Sequence, residues 1–343
     1  MFSANRMIAY SELSLPFPES RRLWLADSAE VWKKLYLEIR PPEPDETCNL
    51  IECVVDSTRS GNLPSLYDSE LAKQATLYSV WSLVWDLRQH QSASMWQKSW
   101  TTSEHTLLHE SQCQHLEQFL RNLRLSYEPD CGEGAPARGL VFDLLFMHIF
   151  AQFDHLELLI GKDGHKGGQS ASKLLQGWSK GHKSRRAAWH AGQVIRAFQQ
   201  LLPKDRLEFH AVALYQANMV LWAFGMLSDA HQSGSTLLLD STQPGTTIRL
   251  DEPDNLDTQK WIRFGIGLPS IHGTIQANTE EKPENKSVSL FKPAEVVESN
   301  RRLLLELFRK KYGGRDVATF VENIGLFMSE VEEITRTTAL SKE

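Results

Sequence analysis

"AAWHAGQVIRAFQQLLP", residues 187–203, decides the fold class. Ala191, Val194, Ile195, Phe198, Leu201 and Leu202 fall at i, i+3, i+4 and i+7, the spacing of one helix face. Pro203 lacks the N–H that a further turn would need, so the helix stops there. The same period recurs on both sides. "LYSVWSLVWDLRQ" (77–89) puts Leu77, Trp81, Val84, Trp85 and Arg88 on one stripe, with Val80 and Leu87 widening it. "VESNRRLLLELFRKKY" (297–312) does so with Val297, Leu304, Leu307 and Phe308, and Gly313–Gly314 follows as a C-cap would. Alternation with a period of two is nearly absent. Its best instance, "STLLLDS" with "TTIRL" between 235 and 250, reads as a loop or a small hairpin. The expectation is an all-α fold: one large multi-helix domain over 13–335 with irregular surface loops.

Three stretches interrupt the helical pattern: "RPPEPDETC" (40–48), "YEPDCGEGAPARG" (127–139) and "QANTEEKPENKS" (276–287). Each is rich in turn formers or polar residues and reads as a loop. Residues 1–12 read as a disordered N-terminus and 336–343 as a C-terminal tail. In "LSLPFPESRRLWLADSAEVWKKLYLEI" (13–39), Asp27 or Ser28 can cap a helix with Glu30 in its first turn. Leu23, Trp24 and Trp32 then read as anchors holding this opening segment to the helical body.

Of the 343 residues 41% are hydrophobic and 23% charged, the balance of a globular chain. A net charge of −6 argues against autonomous nucleic-acid binding, which needs a clustered cationic face. The one basic run, "KGHKSRR" (180–186), reads as a solvated helix start. Four cysteines at irregular spacing do not make a disulfide framework. No apolar leader stands at the N-terminus. "GLVFDLLFMHIF" (139–150) is broken by Asp143 and His148, and "AVALYQANMVLWAFGML" (211–227) by Gln216 and Asn218. Both read as buried core helices rather than membrane spans, in a soluble intracellular chain.

"HTLLHESQCQH" (105–115) is the most metal-like cluster, with His105 and His109 one turn apart and Glu110, Cys113 and His115 close behind. A zincin needs H-E-x-x-H, and here the glutamate follows the second histidine, so a polar helix face is the better reading. "GKDGHKGG" (161–168) lacks the P-loop pattern and follows a helix instead of a strand, so it reads as a helix-ending loop. His190 in "WHAGQ" has no nucleophile paired with it in sequence, and reads as a histidine bonded to a neighbour. Asp154 and Glu157 in "FDHLE" lack the second acidic motif that a diphosphate–metal site requires. Cys48 and Cys53 have zinc-finger spacing, but the first histidine of the chain is His90, which excludes a C2H2 finger on that pair. No catalytic, cofactor-binding or metal-ligating residue is assigned, and no cofactor is expected.

Several segments, in order, resemble the regulatory domain found C-terminal to the zinc fingers of fungal zinc-finger transcription factors, the middle homology region. They are "LPFPESRRLWLADSAEVW" (15–32), "FMHIFAQFDHLELLIGKDG" (146–164), "LLQGWSKGHKSRRAAWHAGQVIRAFQQL" (174–201), "AVALYQANMVLWAFGML" (211–227) and "WIRFGIGLPSIHG" (261–273). The last carries Ile266 where the family pattern has a polar residue. The likeness spans about 13–335 and implies an all-α fold, a nuclear location and a role in transcription, often of secondary-metabolite gene clusters. It implies no catalytic residues. Proteins of this type carry zinc fingers upstream, and about a dozen residues precede the domain here. The expectation is therefore a regulator without its own DNA reader, either a genuinely fingerless protein or a truncated gene model. Its expected partners are a full-length transcription factor or a coactivator, as homo- or heterodimer, with a small-molecule effector as a further ligand and no membrane. The rival is an all-helical secondary-metabolism enzyme or small-molecule-binding protein, for which His105, His109 and Cys113 offer the only start.

Overall fold

The computed structural model describes residues 16–39, 48–56, 58–59, 63–96, 103–127, 134–232, 246–273, 287–314 and 316–340. They form thirteen α-helices and three short strands, so the fold class is all-α. The chain divides after Arg138 into two compact units, within the turn-rich 127–139 stretch. The first contains α1 (Arg21–Trp24), α2 (Ala29–Glu38), α3 (Leu50–Val55), α4 (Ser69–Trp96) and α5 (Ser103–Tyr127). The division falls within α6 (Ala135–Phe150). The second unit continues with α7 (Phe153–Ile160), α8 (Gly164–Ser179), α9 (His182–Gln200) and α10 (Glu208–Gln232). Then come β1 (Thr247–Arg249), α11 (Leu256–Phe264), β2 (Leu268–His272), β3 (Ser287–Ser289), α12 (Pro293–Lys311) and α13 (Thr319–Leu340).

In the first unit the Pro-Phe-Pro segment is extended and pairs with distant backbone. Pro16 bridges Asn49, Glu19 bridges Tyr67, and Ser20 N donates to the Leu66 carbonyl at 2.6 Å. Phe17 thereby packs with Cys48, Cys53, Tyr67 and Ala72. Ser28 caps α2 by accepting from Val31 N at 3.3 Å, with Glu30 in the first turn as expected. Of the three expected anchors, only Leu23 is buried, beside Ile39 and Leu66. Trp24 is 75% exposed, and Trp32 is 41% exposed and stacked on Tyr36 at 5.0 Å. The reason is geometric: α1 is four residues long and leads its short apolar stripe inward through Leu23 alone.

In the second unit α9 and α10 are the central pair. Ala191, Val194, Ile195, Phe198 and Leu201 are buried as the periodicity requires, while Leu202 lies past the cap and is half exposed. Pro203 starts a 3-10 turn, Pro203–Asp205. α6 and α10 are the two apolar runs, and the residues from Leu140 to Phe150 are buried without interruption. One stretch among the described residues, Glu208–Ser228 in α10, is long and apolar enough to cross a membrane, and 72% of its most apolar window is buried within the protein. α12 ends as expected: Gly313 and Gly314 take φ of 65° and 83°, and Gly314 N returns to the Arg309 carbonyl at 2.9 Å.

Several boundaries differ from the expectation. "TTIRL" holds β1, yet it pairs in parallel with β2, and β2 pairs antiparallel with β3. A parallel pair needs a crossover, here through α11, while "STLLLDS", the other half of the expected loop or hairpin, lies outside the described residues. Residues 135–139 belong to α6 rather than to a loop, and α13 runs through 336–340, which had read as tail. The expected disorder at 1–12 and the expected loops at 40–47, 128–133 and 276–286 lie outside the described residues. Along α4 the buried stripe is Leu77, Val80, Val84, Leu87 and Arg88, with Trp81 and Trp85 only partly covered.

The small sheet is seated on α9 and α10 through two glycines. A Cβ at Gly192 would overlap the Leu250 carbonyl, and one at Gly225 would overlap the Leu290 carbonyl. Gly192→Ala and Gly225→Ala should each therefore destabilise by about 2 kcal/mol or more in urea unfolding. Gly177→Ala, in α8 with open space around its Cβ, should instead stabilise by about 0.5–1 kcal/mol.

Candidate functional site

The sequence candidates separate in space. α5 carries the whole His/Cys cluster. His109 lies beside buried Cys113, whose sulfur is 3.7 and 3.8 Å from the two ring nitrogens. The His105 side chain lies outside those described. No group of three His, Cys, Asp or Glu residues with metal-binding geometry occurs among the described residues. The glycine-rich stretch ends α7 with Gly161 at φ 108° and opens α8 at Gly164, φ 72°, as a helix-to-helix turn. Asp154 is exposed, and Glu157 takes Lys162 as its partner at 2.5 Å, so the two carboxylates do not converge.

"WHAGQ" is a docking sequence in which each polar member has a defined structural job. His190 Nδ1 meets the Asp143 carboxylate at 2.9 Å, and its ring stacks on Phe146 at 4.8 Å and Phe150 at 5.9 Å. The Gln193 amide donates to the Leu250 and Glu252 carbonyls, both at 2.7 Å. "KGHKSRR" runs from the end of α8 into the start of α9, but it is not simply solvated. Arg185 donates to the Ile262 and Arg263 carbonyls at 2.9 and 3.0 Å, and Arg186 lies 3.9 Å over the Phe150 ring. Burial holds the Arg185 guanidinium below the usual arginine range. The histidine–aspartate pair has the contact of a general-base dyad, but its imidazole is stacked on two phenylalanine rings. It fixes α6 to α9.

The other polar interruptions of the apolar helices behave alike. His148 Nε2 meets Gln216 Oε1 at 3.1 Å, and Asn300 Nδ2 donates to Asn218 Oδ1 at 3.0 Å. Trp222 Nε1 donates to Thr335 Oγ1 at 2.6 Å.

An open cleft of about 370 Å³ between α12 and α13 has a different character. Arg301, Leu305 and Arg309 form its α12 wall at i, i+4 and i+8, and Glu322, Gly325 and Leu326 face them from α13. A Cβ on Gly325 would come within 3.4 Å of Leu305 Cδ2, so the glycine sets how closely the helices approach. Among the described residues neither Arg301 nor Arg309 is in an ion pair, and Arg301 Nε is buried without a hydrogen-bond partner. Asp316 also lines the cleft. This site was not anticipated from the sequence, although Arg301, Leu305 and Arg309 stand there at i, i+4 and i+8. Such a cleft can hold a small molecule that carries an anionic group on an apolar body.

No protein-family model, no curated protein and no solved structure matches the chain.

His210 supplies a pH response near the same helices. It accepts from Leu207 N at 2.9 Å, and burial, with Lys311 second, pushes its pKa down to about 4. Asp205 and Glu208 oppose the shift weakly. Burial lowers His155 as well. The unfolded chain protonates His210 as the pH falls through about 6.5, whereas the folded chain does so only near 4. The stability that neutral His210 contributes is complete above pH 6.5 and is lost between those values, on the order of 3 kcal/mol at most. Urea midpoints should fall from pH 7 to pH 4.5, and His210→Asn should flatten the fall.

Proposed function

We propose that the chain is a transcriptional regulatory domain that acts in the nucleus through contacts with other proteins and relies on a separate module to read DNA. The observation that carries the reading is the ordered resemblance from residue 15 to 273, in which five segments follow the regulatory-domain pattern. The absence of any finger or basic reader motif in these 343 residues, with a net charge of −6, supports the second half of it. The expected partners are a full-length transcription factor or a coactivator, and the expected targets are genes of a secondary-metabolite cluster. Trp24, Leu25, Trp32 and Leu37 supply exposed apolar surface of the kind that protein contacts use.

Fused to a heterologous DNA-binding module, the chain should change reporter transcription at that module's site at least several-fold, and a fluorescent fusion should collect in the nucleus. The isolated chain should give no sequence-specific gel shift. Tight specific DNA binding by it alone, or stoichiometric zinc or iron lost in His105→Ala, would overturn the reading in favour of a DNA reader or an enzyme.

A second reading, a small-molecule-binding protein, is favoured by one observation, the α12–α13 cleft with its unpaired Arg301 and Arg309. If it holds, octanoate raises the melting temperature of the wild-type protein and leaves that of the Arg301→Ala, Arg309→Ala double variant unchanged.

A further inference from the structure

Cys48 and Cys53 were set aside as a zinc-finger pair, and the structure brings them together for a different chemistry. Both are free thiols, both are buried, and their sulfurs lie 3.3 Å apart. That is inside van der Waals contact for two sulfurs and a little over an ångström longer than a disulfide bond of about 2.04 Å.

The start of α3 creates this proximity. Asn49 is its N-cap and accepts from Glu52 N at 3.0 Å, while Glu52 Oε1 accepts from Asn49 Nδ2 at 3.3 Å. A reciprocal cap of this kind fixes the angle at which the chain enters the helix. Cys48 then stands just before the cap and Cys53 at the fourth helical position, the two places where apolar side chains normally meet to staple a helix start. Here the staple consists of two thiols, packed with Phe17, Tyr67 and Ala72. Outside it Arg59 Nη1 pairs with Glu52 Oε2 at 2.8 Å, leaving one cation close to the sulfurs.

We propose that Cys48 and Cys53 form a reversible oxidation site, a dithiol that hydrogen peroxide converts to an intramolecular disulfide. One sulfur, as its thiolate, attacks the peroxide O–O bond, giving a sulfenic acid and releasing hydroxide. The second thiolate attacks that sulfur: the S–S bond forms, the S–O bond breaks, and hydroxide leaves to be protonated. Two thiols and one peroxide thus yield one disulfide and two waters, with two electrons passing from the sulfurs to the peroxide oxygens. A dithiol reductant reverses the reaction by exchange.

Burial pushes both thiols up, so the resting pair is a poor nucleophile and reaction proceeds through opening of α3. That helix has six residues, and opening its first turn uncovers both sulfurs. Once one sulfur is oxidised, the cap holds its partner within reach, which favours the disulfide over further oxidation.

The two cysteines lie on a single tryptic peptide, residues 35–59, because the bond after Arg40 precedes a proline. The folded protein is treated with hydrogen peroxide at micromolar to millimolar concentration, alkylated under denaturing conditions and digested. The expected peptide is two hydrogens lighter than the reduced form and carries no alkyl group, and it returns to the doubly alkylated form after dithiothreitol. Cys48→Ala and Cys53→Ala each leave the remaining sulfur alkylatable or carried to sulfinic acid. Protection of both thiols until the protein is fully unfolded in urea would overturn the proposal, as would sulfinic acid on either residue of the wild type or pairing with Cys113 or Cys131. Circular dichroism of the Ala variants confirms that they are folded. Should one fail to fold, the wild-type peptide map decides alone.

Discussion

Gln193 and Gly192 carry the constraint on which the second unit depends. Adjacent on α9, one side chain binds two backbone carbonyls of the β1 connection, and the missing side chain of the other lets the first of those carbonyls reach the helix. The Leu250 carbonyl is a buried acceptor that would otherwise cost desolvation energy, and the Glu252 carbonyl a partly buried one. Gly225 on α10 gives Leu290, just past β3, the same access. A sheet whose strands have three to five residues has too few internal bonds to stand alone. Its two ends are held instead by the helices beneath, and Arg185 ties down the α11 end through two more carbonyls.

These contacts explain what was legible in the sequence and what was not. Helices α9 and α12 are long enough for their apolar period to emerge, and their buried faces follow it. The sheet was not legible because its pairing is non-local and its strands are too short for alternation to show. Its signals were indirect: the glycines at 192 and 225, and Gly265 and Gly267 with φ of 75° and 114° around the turn into β2. Trp24 and Trp32 misled for another reason. Large aromatic residues raise the expectation of burial, yet the four-residue α1 turns only Leu23 fully inward, and α2, which carries Trp32, buries none of its residues.

Asp143, His148, Gln216 and Asn218 were read as breaks that disqualify two apolar runs as membrane spans. In the folded chain these same residues are the cross-helix bonds: Asp143 to His190, His148 to Gln216, and Asn218 to Asn300. A wholly apolar interface tolerates a slip of one helix along another, whereas a buried polar pair has low energy in one register only. Polar interruptions in an apolar helix thus carry specificity information, although sequence alone does not say which partner each one meets.

The same reasoning separates structural polarity from polarity still available for function. Inside the second unit the polar side chains face one another across helices. Along the α12–α13 cleft, by contrast, Arg301 and Arg309 have no ion-pair partner among the described residues, although Arg302 and Lys310 on the same helix pair with Glu298 and Glu306. One helix therefore carries two classes of cation. Those bonded to a carboxylate four residues earlier support the helix itself. Those on the cleft stripe have no such partner among the described residues, and the buried Nε of Arg301 has lost its hydration without a replacement. A group in that state gains more from an incoming acceptor than a solvated arginine would, because its desolvation has already occurred on folding. The cleft is thus one place in the second unit where binding free energy remains available.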